Sequence, residues 1–445
     1  MARLWLIIYN ICVVPSMWIG FHIGALFNDK IQRGLDGRKN LLNKVRAKLA
    51  TRKNPQTLWI HAASLGEFEQ AKPIIEVVKE RYPSVFIFVT FFSPSGMDYA
   101  LEYIPGDAVA YLPFDSFFAA KKFVDLLRPS AAIFIRYELW LNHLHALHAR
   151  GIPAMLACAS GRNLQKKNLL VRSYNAAACQ NFGHILCVED SDAAAYTNML
   201  DESLNKKTAV TVVGDTKFDR VTQRAKKEKA NVLPDQITRN KFIVVAGSTW
   251  KEDEKIIAPV INKLMNEYHN TFLYIVAPHE PTETHLQSIE SQMPSFRLSE
   301  IDSIEGEKNE GNVIIVDSVG QLFSLYQYAD VAFVGGGFHR GVHNVLEPAA
   351  FGIPVLCGPN IGNAREAQEL LESGGGHIIN SSEGFHSYLI RAINDPAFIE
   401  DEGRRAYAFT QSHTGAANKI VDSLTDILYT DKPIFSINNH NIVLS

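Results

Sequence analysis

The sequence predicts an α/β protein built from two doubly wound domains, each with a parallel sheet between layers of helices. Three observations support this prediction. Short runs rich in β-branched and aromatic residues recur along the 445-residue chain, and helical segments of ten or more residues separate most of them. Most of these runs are apolar throughout, as expected for strands buried on both faces. A charged stretch without a strand pattern, residues 221–240, divides the runs into two groups.

The first element is an apolar stretch that predicts a membrane anchor. Residues 4–27 contain no Asp, Glu, Lys or Arg, and about twenty apolar residues suffice for a helix to cross a bilayer. A basic run, residues 30–53, follows it, so the positive-inside rule places the rest of the chain in the cytoplasm. Asn10, Pro15 and His22 interrupt the stretch, and a helix lying in the membrane interface is the alternative interpretation. We assign residues 1–54 to this anchor and its basic juxtamembrane segment.

The predicted strands form one group of seven and one group of five. The first group comprises Thr57–Ala63, Val85–Thr90, Val109–Phe114, Ala131–Ile135, Pro153–Ala159, His184–Glu189 and Ala209–Gly214. The second group comprises Phe242–Ser248, Thr271–Pro278, Asn312–Ser318, Val331–Gly336 and Pro354–Gly358.

These groups predict an N-terminal domain over residues 55–220, a linker over 221–240, a C-terminal domain over 241–430 and a tail over 431–445. Pro234 lies within the linker and supports its irregular structure. We expect the two domains to face each other across a cleft, because ligands of doubly wound sheets bind beyond the carboxyl ends of the strands.

Composition excludes several classes of function. The net charge of −3 argues against a nucleic-acid-binding protein with a broad basic surface. The five cysteines include no C-x-x-C pair, and no H-E-x-x-H motif occurs. We therefore expect reduced, buried thiols, no metal site and no cofactor.

The turn after the first strand carries a possible general base. Ser64 can cap the following helix, Gly66 allows close backbone approach, and Glu67 lies three residues after Ser64. S-x-x-E is the signature of a capping box, in which Glu67 only bonds back to the amide of Ser64. The alternative is a carboxylate that points into the cleft and accepts a proton. The spacing alone leaves both interpretations open.

Similar turns follow strands of the second group and predict a nucleotide-phosphate site. They precede helices, whose free N–H groups and dipoles favour phosphate, although neither a Walker A nor a G-x-G-x-x-G motif is present. Glu347 could bond a ribose hydroxyl or cap its own helix. The candidate residues are Ser248, Thr249, Gly320, Gln321, Leu322, Asn344, Val345, Leu346 and Glu347.

Three further residues follow strands and have both a functional and an ordinary interpretation. His279, after Pro278, can donate to a phosphate or be a solvated loop histidine. Lys217 can neutralise charge that develops in the cleft or simply be solvated. Glu138 is predicted to open a helix, where an acid is stabilising without any function.

Taken together, these residues resemble a known family. The motifs in order are H-A-A-S-L-G-E, S-P-S-G, Y-E-L-W, G-D-T-K-F-D, G-S-T-W-K-E, P-H-E, A-D-V-A-F-V-G-G-G, H-N-V-L-E-P and I-P-V-L-C-G-P. Nearly the whole chain is similar to the 3-deoxy-D-manno-octulosonic acid (Kdo) transferases of lipopolysaccharide synthesis. The resemblance implies a GT-B architecture of two facing Rossmann-like domains. It also implies CMP-Kdo as donor, a lipid A precursor as acceptor, and action at the cytoplasmic face of the inner membrane.

The resemblance also implies roles for individual residues. Glu67 matches the catalytic base of the family, and Lys217 matches a residue proposed to stabilise the transition state. Glu138 is the remaining acid of the Y-E-L-W motif and is assigned with them. His279 with Pro278, the Gly320–Leu322 turn and the Asn344–Glu347 turn match the CMP-binding turns.

The chain departs from the family pattern at three places. Arg136 occupies a position where many members have Glu, and Ala277-Pro278-His279 replaces a P-R-H motif. Residues 158–162 read C-A-S-G-R where N-A-R-L-S is common, so Arg162 is a candidate for the missing positive charge. Two alternatives to Kdo transfer remain: a membrane-associated GT-B transferase using a UDP- or GDP-sugar, and an inactive GT-B-like scaffold of the cell envelope.

Overall fold

The chain folds into two compact units, here described from a computed structural model. The structure describes residues 2–428 except 55, 103–105, 163, 165–167, 202–207, 229, 270, 304–311 and 363. Unit 1 contains residues up to Arg220 together with the chain from Thr414 onward, and unit 2 contains Val221–His413. The predicted tail, 431–445, lies outside the described residues.

Unit 1 is built on a seven-stranded parallel sheet. Its strand order is β3-β2-β1-β4-β5-β6-β7, so the winding direction reverses between β1 and β4. The strands are β1 (Thr57–His61), β2 (Phe86–Phe91), β3 (Ala108–Tyr111), β4 (Ala131–Ile135), β5 (Ala154–Ala159), β6 (His184–Cys187) and β7 (Ala209–Val212).

Helices cover both faces of this sheet. They are α1 (Ala2–Gly24), α2 (Asp29–Gly37), α3 (Leu41–Leu49), α4 (Leu65–Arg81), α5 (Pro94–Glu102), α6 (Phe117–Leu127), α7 (Leu141–His148), α8 (Leu169–Cys179), α9 (Asp190–Asp201), α10 (Thr216–Lys227), α19 (Ala416–Asp422) and α20 (Thr425–Leu428). Side chains alternate along β1: Trp59 packs in the core beside α6 and α7, and Leu58 and Ile60 pack in the core beside α4 and α19. The uninterrupted burial of the strand explains why its sequence does not alternate.

Helix α1 lies along the surface of unit 1 rather than projecting from it. It is the one helix within the described ranges that is long and apolar enough to cross a membrane. Trp5 donates a hydrogen bond to Ser173 Oγ (2.8 Å), and Asn10 exchanges amide hydrogen bonds with Asn142 (2.9 and 3.1 Å). Phe21 packs edge-on against Phe92 at 5.4 Å between ring centroids. At 1.5 Å per residue these contacts span about 24 Å of the helix.

The other face of α1 is exposed and apolar. Large apolar side chains along it are exposed, and Phe117 and Phe118 on α6 and Leu169 and Leu170 on α8 are exposed beside it. Their proximity follows from two contacts: the amide of Phe117 donates to Asn10 Oδ1 (3.1 Å), and Ser173, one turn after Leu169, contacts Trp5. We call these four residues and the exposed face of α1 the apolar surface. The exposed large apolar residues of α1 are Leu4, Ile7, Ile11, Val13, Trp18, Ile19 and Ile23.

Two arginines of the predicted basic segment make contacts within unit 1 instead of facing solvent. Arg38 donates to the carbonyl oxygens of Leu112, Gly34 and Phe92 at 2.7–2.8 Å, and its guanidinium lies 4.5 Å from the centre of the Phe92 ring. Arg52 donates to Thr57 Oγ1 (2.9 Å). These two cations attach α2 and α3 to unit 1, whereas the side chain of Lys39 is 75% exposed.

Unit 2 repeats the plan with a second seven-stranded parallel sheet. Its order is β10-β11-β9-β8-β12-β13-β14, with the reversal between β8 and β12. The strands are β8 (Phe242–Thr249), β9 (Phe272–Pro278), β10 (Phe296–Arg297), β11 (Val313–Ile315), β12 (Val331–Val334), β13 (Val355–Cys357) and β14 (Gly376–Ile378). The helices are α11 (Asp235–Thr238), α12 (Lys251–Glu267), α13 (Glu283–Glu290), α14 (Leu322–Leu325), α15 (Leu346–Ala350), α16 (Arg365–Glu372), α17 (Ser382–Asn394) and α18 (Pro396–Ser412).

All twelve predicted strands occur, and the structure adds β10 and β14. Both additions are edge strands of two or three residues, too short to show a pattern. The segment predicted as a linker is partly helical, since α10 extends to Lys227. The chain also returns to unit 1 at Thr414, where α19 packs in the core beside α4. The division by contacts therefore differs from the predicted C-terminal domain, which extended to residue 430.

The cysteines are all free thiols. Cys158, Cys179, Cys187 and Cys357 are buried, as expected, whereas Cys12 on α1 is exposed.

Candidate active site

Each unit has one topological switch point, and a cluster of polar side chains lies at each. In doubly wound sheets, neighbouring loops diverge where the winding reverses, which opens a crevice at the carboxyl ends of the strands. In unit 1 this position lies between β1 and β4, and the turns after them carry Glu67 and Glu138. In unit 2 it lies between β8 and β12, and the turns after them carry Trp250 and His343.

Glu67 is both a helix cap and a candidate base. Helix α4 begins at Leu65 with Ser64 as its N-cap, and the predicted capping box is present. The amide and the hydroxyl of Ser64 donate to the same carboxylate oxygen, Glu67 Oε2, at 2.8 and 2.9 Å. No hydrogen bond joins Oε1 to any residue that the structure describes. One oxygen thus orients the carboxylate, and the other is left to accept a proton.

A second carboxylate lies close enough to change the proton affinity of Glu67. Burial raises the pKa of Glu67, the negative charge of Glu138 raises it further, and the hydrogen bonds from Ser64 oppose both effects. A carboxylate with a raised pKa holds a proton more strongly, which suits a general base near neutral pH.

Glu138 is held by an aromatic pair. The indole N–H of Trp140 lies 2.6 Å from Glu138 Oε2 and 3.0 Å from His61 Nε2, so one donor serves both acceptors. His61 is fully buried, and its Nδ1 lies 3.1 Å from the carbonyl oxygen of Thr90, which can only accept. The neutral tautomer with Nδ1 protonated satisfies every contact. The prediction that Glu138 opens a helix is wrong, because α7 begins three residues later at Leu141.

Lys217 lies in the first turn of α10, after β7, and its backbone amide donates to Asp215 Oδ1 (3.0 Å). The same Asp215 oxygen accepts from Gln70 Nε2 (2.7 Å), and Gln70 Oε1 accepts from Arg136 (3.3 Å). The Arg at the position where the family commonly has Glu is therefore part of a polar network that reaches the Lys217 turn. Arg162, the other candidate cation, is exposed.

In unit 2, Trp250 is surrounded by three imidazoles. Its ring stacks with His279 at 4.8 Å and with His339 at 4.9 Å between centroids, and its Nε1 donates to His343 Nε2 (2.9 Å). His279 and His343 also stack on each other at 4.3 Å. Burial lowers the pKa of His343 and the neighbouring His279 lowers it further, so His343 is neutral at pH 7 and its Nε2 accepts. Sequence reasoning selected His279 and missed the other three residues.

The glycine-rich loop after β12 is fixed by one buried carboxylate. Asp253 Oδ2 accepts from the amides of Trp250 and Gly336 at 2.9 and 2.8 Å, and Oδ1 accepts from Phe338 (3.3 Å). A Cβ atom on Gly337 would lie 2.6 Å from the backbone of Gly358. Only glycine fits this close approach, which brings the loop against the turn after β13.

The turn after β8 differs from the predicted phosphate site. Helix α12 is capped by Trp250 with Asp253, not by Ser248 with Glu252. Thr249 is buried and its hydroxyl donates to Glu254 Oε1 (2.9 Å). The first turn of α12 contains three acidic residues, and their charge disfavours an anion at this N-terminus.

The turn after β11 has backbone donors that are not used within the described part of the chain. Gly320 is exposed with φ +98°, a left-handed conformation that glycine adopts without strain. No hydrogen bond joins the amide of Gly320 or Gln321 to another residue in the described part of the chain. Ser318 and Gln321 have the S-x-x-Q spacing of a capping box. Ser318 nevertheless caps no helix, since α14 begins at Leu322 with Gln321 as N-cap.

The Asn344–Glu347 turn forms its own small network. Asn344 Oδ1 accepts from the amide of Leu346 (3.2 Å), and its Nδ2 donates to Glu347 Oε1 (3.2 Å). Val345 and Leu346 are buried. Helices α14 and α15 are only four and five residues long, so their dipoles contribute less than the exposed N–H groups themselves. Pro278, which precedes His279, is buried and has no N–H to donate.

Within the ranges that the structure describes, no group of three or more His, Cys, Asp or Glu side chains could hold a metal ion.

Comparison with known proteins places these clusters in a family. Residues 38–220 match the model of the 3-deoxy-D-manno-octulosonic-acid transferase (kdotransferase) family. The 3-deoxy-D-manno-octulosonic acid transferase of Haemophilus influenzae is 28% identical over 383 residues, which cover 84% of this chain and 88% of the relative. That of Aquifex aeolicus is 28% identical over 320 residues, 72% of this chain and 80% of the relative. These matches, which extend over most of the chain, confirm its resemblance to the Kdo transferase family.

Kdo transferases are glycosyltransferases of lipopolysaccharide synthesis, so the matches support the class predicted from the motifs. The matched residues 38–220 include Glu67, Glu138 and Lys217. The fold is similar to that of the UDP-GlcNAc 2-epimerase from Neisseria meningitidis, with a TM-score of 0.59 at 16% identity, covering 83% of this chain and 100% of that one. At this identity the likeness shows the fold alone, and it agrees with the predicted GT-B class of two Rossmann-like units.

Proposed function

We propose that this Kdo transferase moves Kdo from CMP-Kdo to a hydroxyl of a lipid A precursor, with inversion at the anomeric carbon. The acceptor oxygen attacks that carbon and its proton passes to Glu67. The bond between the anomeric carbon and the phosphate oxygen breaks, and its electron pair leaves with CMP. The reaction needs no redox partner and, in this proposal, no metal or other cofactor.

The observation that carries the proposal is the state of Glu67. Its carboxylate is oriented through one oxygen by Ser64 and leaves Oε1 without a partner among the described residues. Its raised pKa, caused by burial and by Glu138, increases its affinity for the acceptor proton. Lys217 is proposed to stabilise the negative charge that develops as the phosphate leaves.

Unit 2 is proposed to bind the donor. Exposed N–H groups at Gly320 and Gln321 suit phosphate oxygens, as does the exposed imidazole of His279. Glu347 is proposed to bond a ribose hydroxyl, with Asn344 orienting it. Because Thr249 and the N-terminus of α12 already satisfy internal carboxylates, we assign them to shaping the turn rather than to contacting the phosphate.

We propose that the enzyme works on the cytoplasmic face of the inner membrane, with α1 lying in the interface. Both ends of α1 are attached to unit 1 by polar or aromatic contacts, and its opposite face is apolar and exposed. Exposed Lys121 and Lys122 follow Phe117 and Phe118 on α6. This pattern of inserted aromatic side chains beside cations suits anionic headgroups.

The deciding experiment is transfer of labelled Kdo by the detergent-solubilised full chain. CMP-Kdo would be generated in situ, a tetra-acylated lipid A precursor would be the acceptor, and products would be read by mass. We expect a gain of one or more Kdo units. Glu67→Gln, which keeps the capping geometry because Gln also serves at N3, should slow transfer by about 10²–10⁴-fold.

The control measures CMP binding by the same variant, which should equal that of the parent enzyme. Wild-type turnover by Glu67→Gln would refute the base assignment. If no Kdo is transferred and UDP or GDP binds in place of CMP, the donor assignment is wrong.

A further inference from the structure

A large cavity lies between α1 and the body of unit 1. Its volume is about 630 Å³, within the range of small-molecule sites. Its walls are mainly aromatic and aliphatic, and they come from α1, from the turn after β4, and from α8. The lining includes Trp5, Tyr9, Leu164, Leu170, Val171 and Tyr174.

The cavity joins two places already described. Glu138 and Trp140 line it, and Glu138 is the carboxylate whose charge acts on Glu67. Leu170, 70% exposed, and Val13, 41% exposed, also line it and belong to the apolar surface. A ligand in the cavity would therefore extend from the apolar surface to the carboxylates of the switch point.

One polar group in the cavity lacks a partner. Asn175 on α8 is 4% exposed and lines the cavity, and its Nδ2 makes no hydrogen bond with any residue in the described ranges. A buried amide donor without an acceptor costs free energy, so such a group calls for a specific explanation. A ligand that brings a carbonyl oxygen to Asn175 would supply that acceptor.

We propose that this cavity holds one fatty acyl chain of the acceptor, with Asn175 donating to the carbonyl oxygen of the ester or amide that links the chain to the sugar. An apolar channel with one internal donor fits an acyl link, and the carboxylate end fits the sugar that carries the attacking hydroxyl. The inference rests on the proposed function for the identity of the acceptor. The cavity itself can be tested without turnover.

The first experiment measures binding of octyl, nonyl and decyl glucosides, below their micelle concentrations, by titration calorimetry. The affinity of the parent protein should rise about fourfold with each methylene group. Val171→Trp fills the cavity and should abolish this dependence on chain length. Leu169→Trp is the matched control, because Leu169 is in the same turn of α8 but is 82% exposed; it should bind like the parent.

The second experiment compares Kdo transfer to the tetra-acylated precursor and to its fully deacylated disaccharide. The parent enzyme should prefer the acylated acceptor, through a lower KM rather than a higher kcat. Val171→Trp should lose that preference and keep the KM for the deacylated disaccharide within about twofold. Asn175→Leu should raise the KM for the acylated acceptor alone, with an unchanged or higher melting temperature, because it also removes an unpaired buried donor.

Each outcome separates the cavity from the proposed function. Equal chain-length dependence in Val171→Trp and the parent would overturn the proposal, whatever the transfer assay shows. Absence of transfer to either acceptor would refute the proposed function, while the glucoside titration would still decide the cavity. If Val171→Trp loses binding to phosphatidylglycerol vesicles yet keeps the acyl preference, the chain comes from bulk phospholipid and the assignment to the acceptor is wrong.

Discussion

At Glu67 a structural role and the proposed chemical role are divided between the two oxygens of one carboxylate. Oε2 accepts both hydrogen bonds from Ser64, which fixes the orientation of the group and caps α4. The capping box and the general base, alternatives that the spacing left open, are compatible because they use different atoms. The charge of Glu138 then adjusts the proton affinity of the oxygen that is left.

The Glu138 charge has a testable effect on pH dependence. Burial and Glu138 raise the pKa of Glu67, so Glu138→Gln should lower that pKa. Since transfer requires ionised Glu67, the acid limb of the kcat/KM profile should move to lower pH. A carboxyl group with a raised folded-state pKa stabilises the protein at low pH, and this contribution to the free energy of unfolding is lost as the pH rises through that pKa. Because Glu138→Gln lowers the pKa of Glu67, the loss should be smaller in the variant. Stopped-time assays and urea midpoints across pH 4–8 measure both effects, and an unmoved acid limb would contradict the coupling.

His343 allows a similar test in unit 2. Its pKa is lowered by burial and by the neighbouring His279, so His279→Gln should raise it. Histidine ring NMR signals followed against pH report the change directly. His339→Gln, which removes a ring that stacks on Trp250, is the control and should shift the midpoint less. A larger shift in the control would show that His279 is not the neighbour that matters.

At the scale of single elements, strand ends were easier to predict than helix starts. The strands are buried runs, and burial is visible in composition. Helix starts depend on which side chain reaches a free amide. The T-x-x-E spacing at Thr249 and the S-x-x-Q spacing at Ser318 both occur without a capping box. At Trp250 the box uses Asp253, a residue that the spacing rule did not consider. Strands β10 and β14 were missed because their sequences, F-R and G-H-I, are not apolar runs. Strands β11 and β13 are equally short, but their sequences, V-I-I and V-L-C, are apolar throughout.

The glycine-rich loop depends on Asp253, and this dependence gives a stability prediction. Asp253→Ala leaves the amides of Trp250, Gly336 and Phe338 without their acceptor. Unfolding of unit 2 should become easier by about 2–4 kcal/mol, and CMP affinity should fall with it. Asp253→Asn retains one acceptor oxygen, so its midpoint of urea unfolding should lie between those of Asp253→Ala and the parent. An unchanged midpoint in Asp253→Ala would show that solvent replaces the carboxylate.

At the scale of the whole molecule, the two units share one plan, and each has its polar cluster at its own switch point. This organisation was predictable, because alternating buried strands and helices determine where loops diverge. Glu67, Glu138 and His279 were selected for that reason. Trp250, His343, His61 and Trp140 were not, since their roles arise from contacts between residues distant in sequence. The T-W dipeptide after β8 and the H-x-x-x-H spacing of His339 and His343 were the available signals.

The proposed interfacial position of α1 can be tested through Cys12. It is exposed, and the other four cysteines are buried, so a nitroxide reagent should label Cys12 selectively. An interfacial helix places this label roughly 5–10 Å below the headgroups. A second label at Ile23, in a Cys12→Ser, Ile23→Cys variant, should lie at nearly the same depth. A difference of about 16 Å between the two sites, eleven residues of helical rise, would instead mean that α1 spans the bilayer.

The attachment of α1 to α8 has a consequence for biosynthesis. Trp5 bonds to Ser173, 168 residues later in the chain, and translation at roughly 5–20 residues per second delays that partner by roughly 10–30 s. During this interval the ribosome displays an apolar helix that has no protein surface to cover it. Lipid or a chaperone must cover it first, so delivery of the ribosome to the membrane should precede completion of the first sheet. An enzyme made this way would fold at the membrane where it works, without first being released into solution.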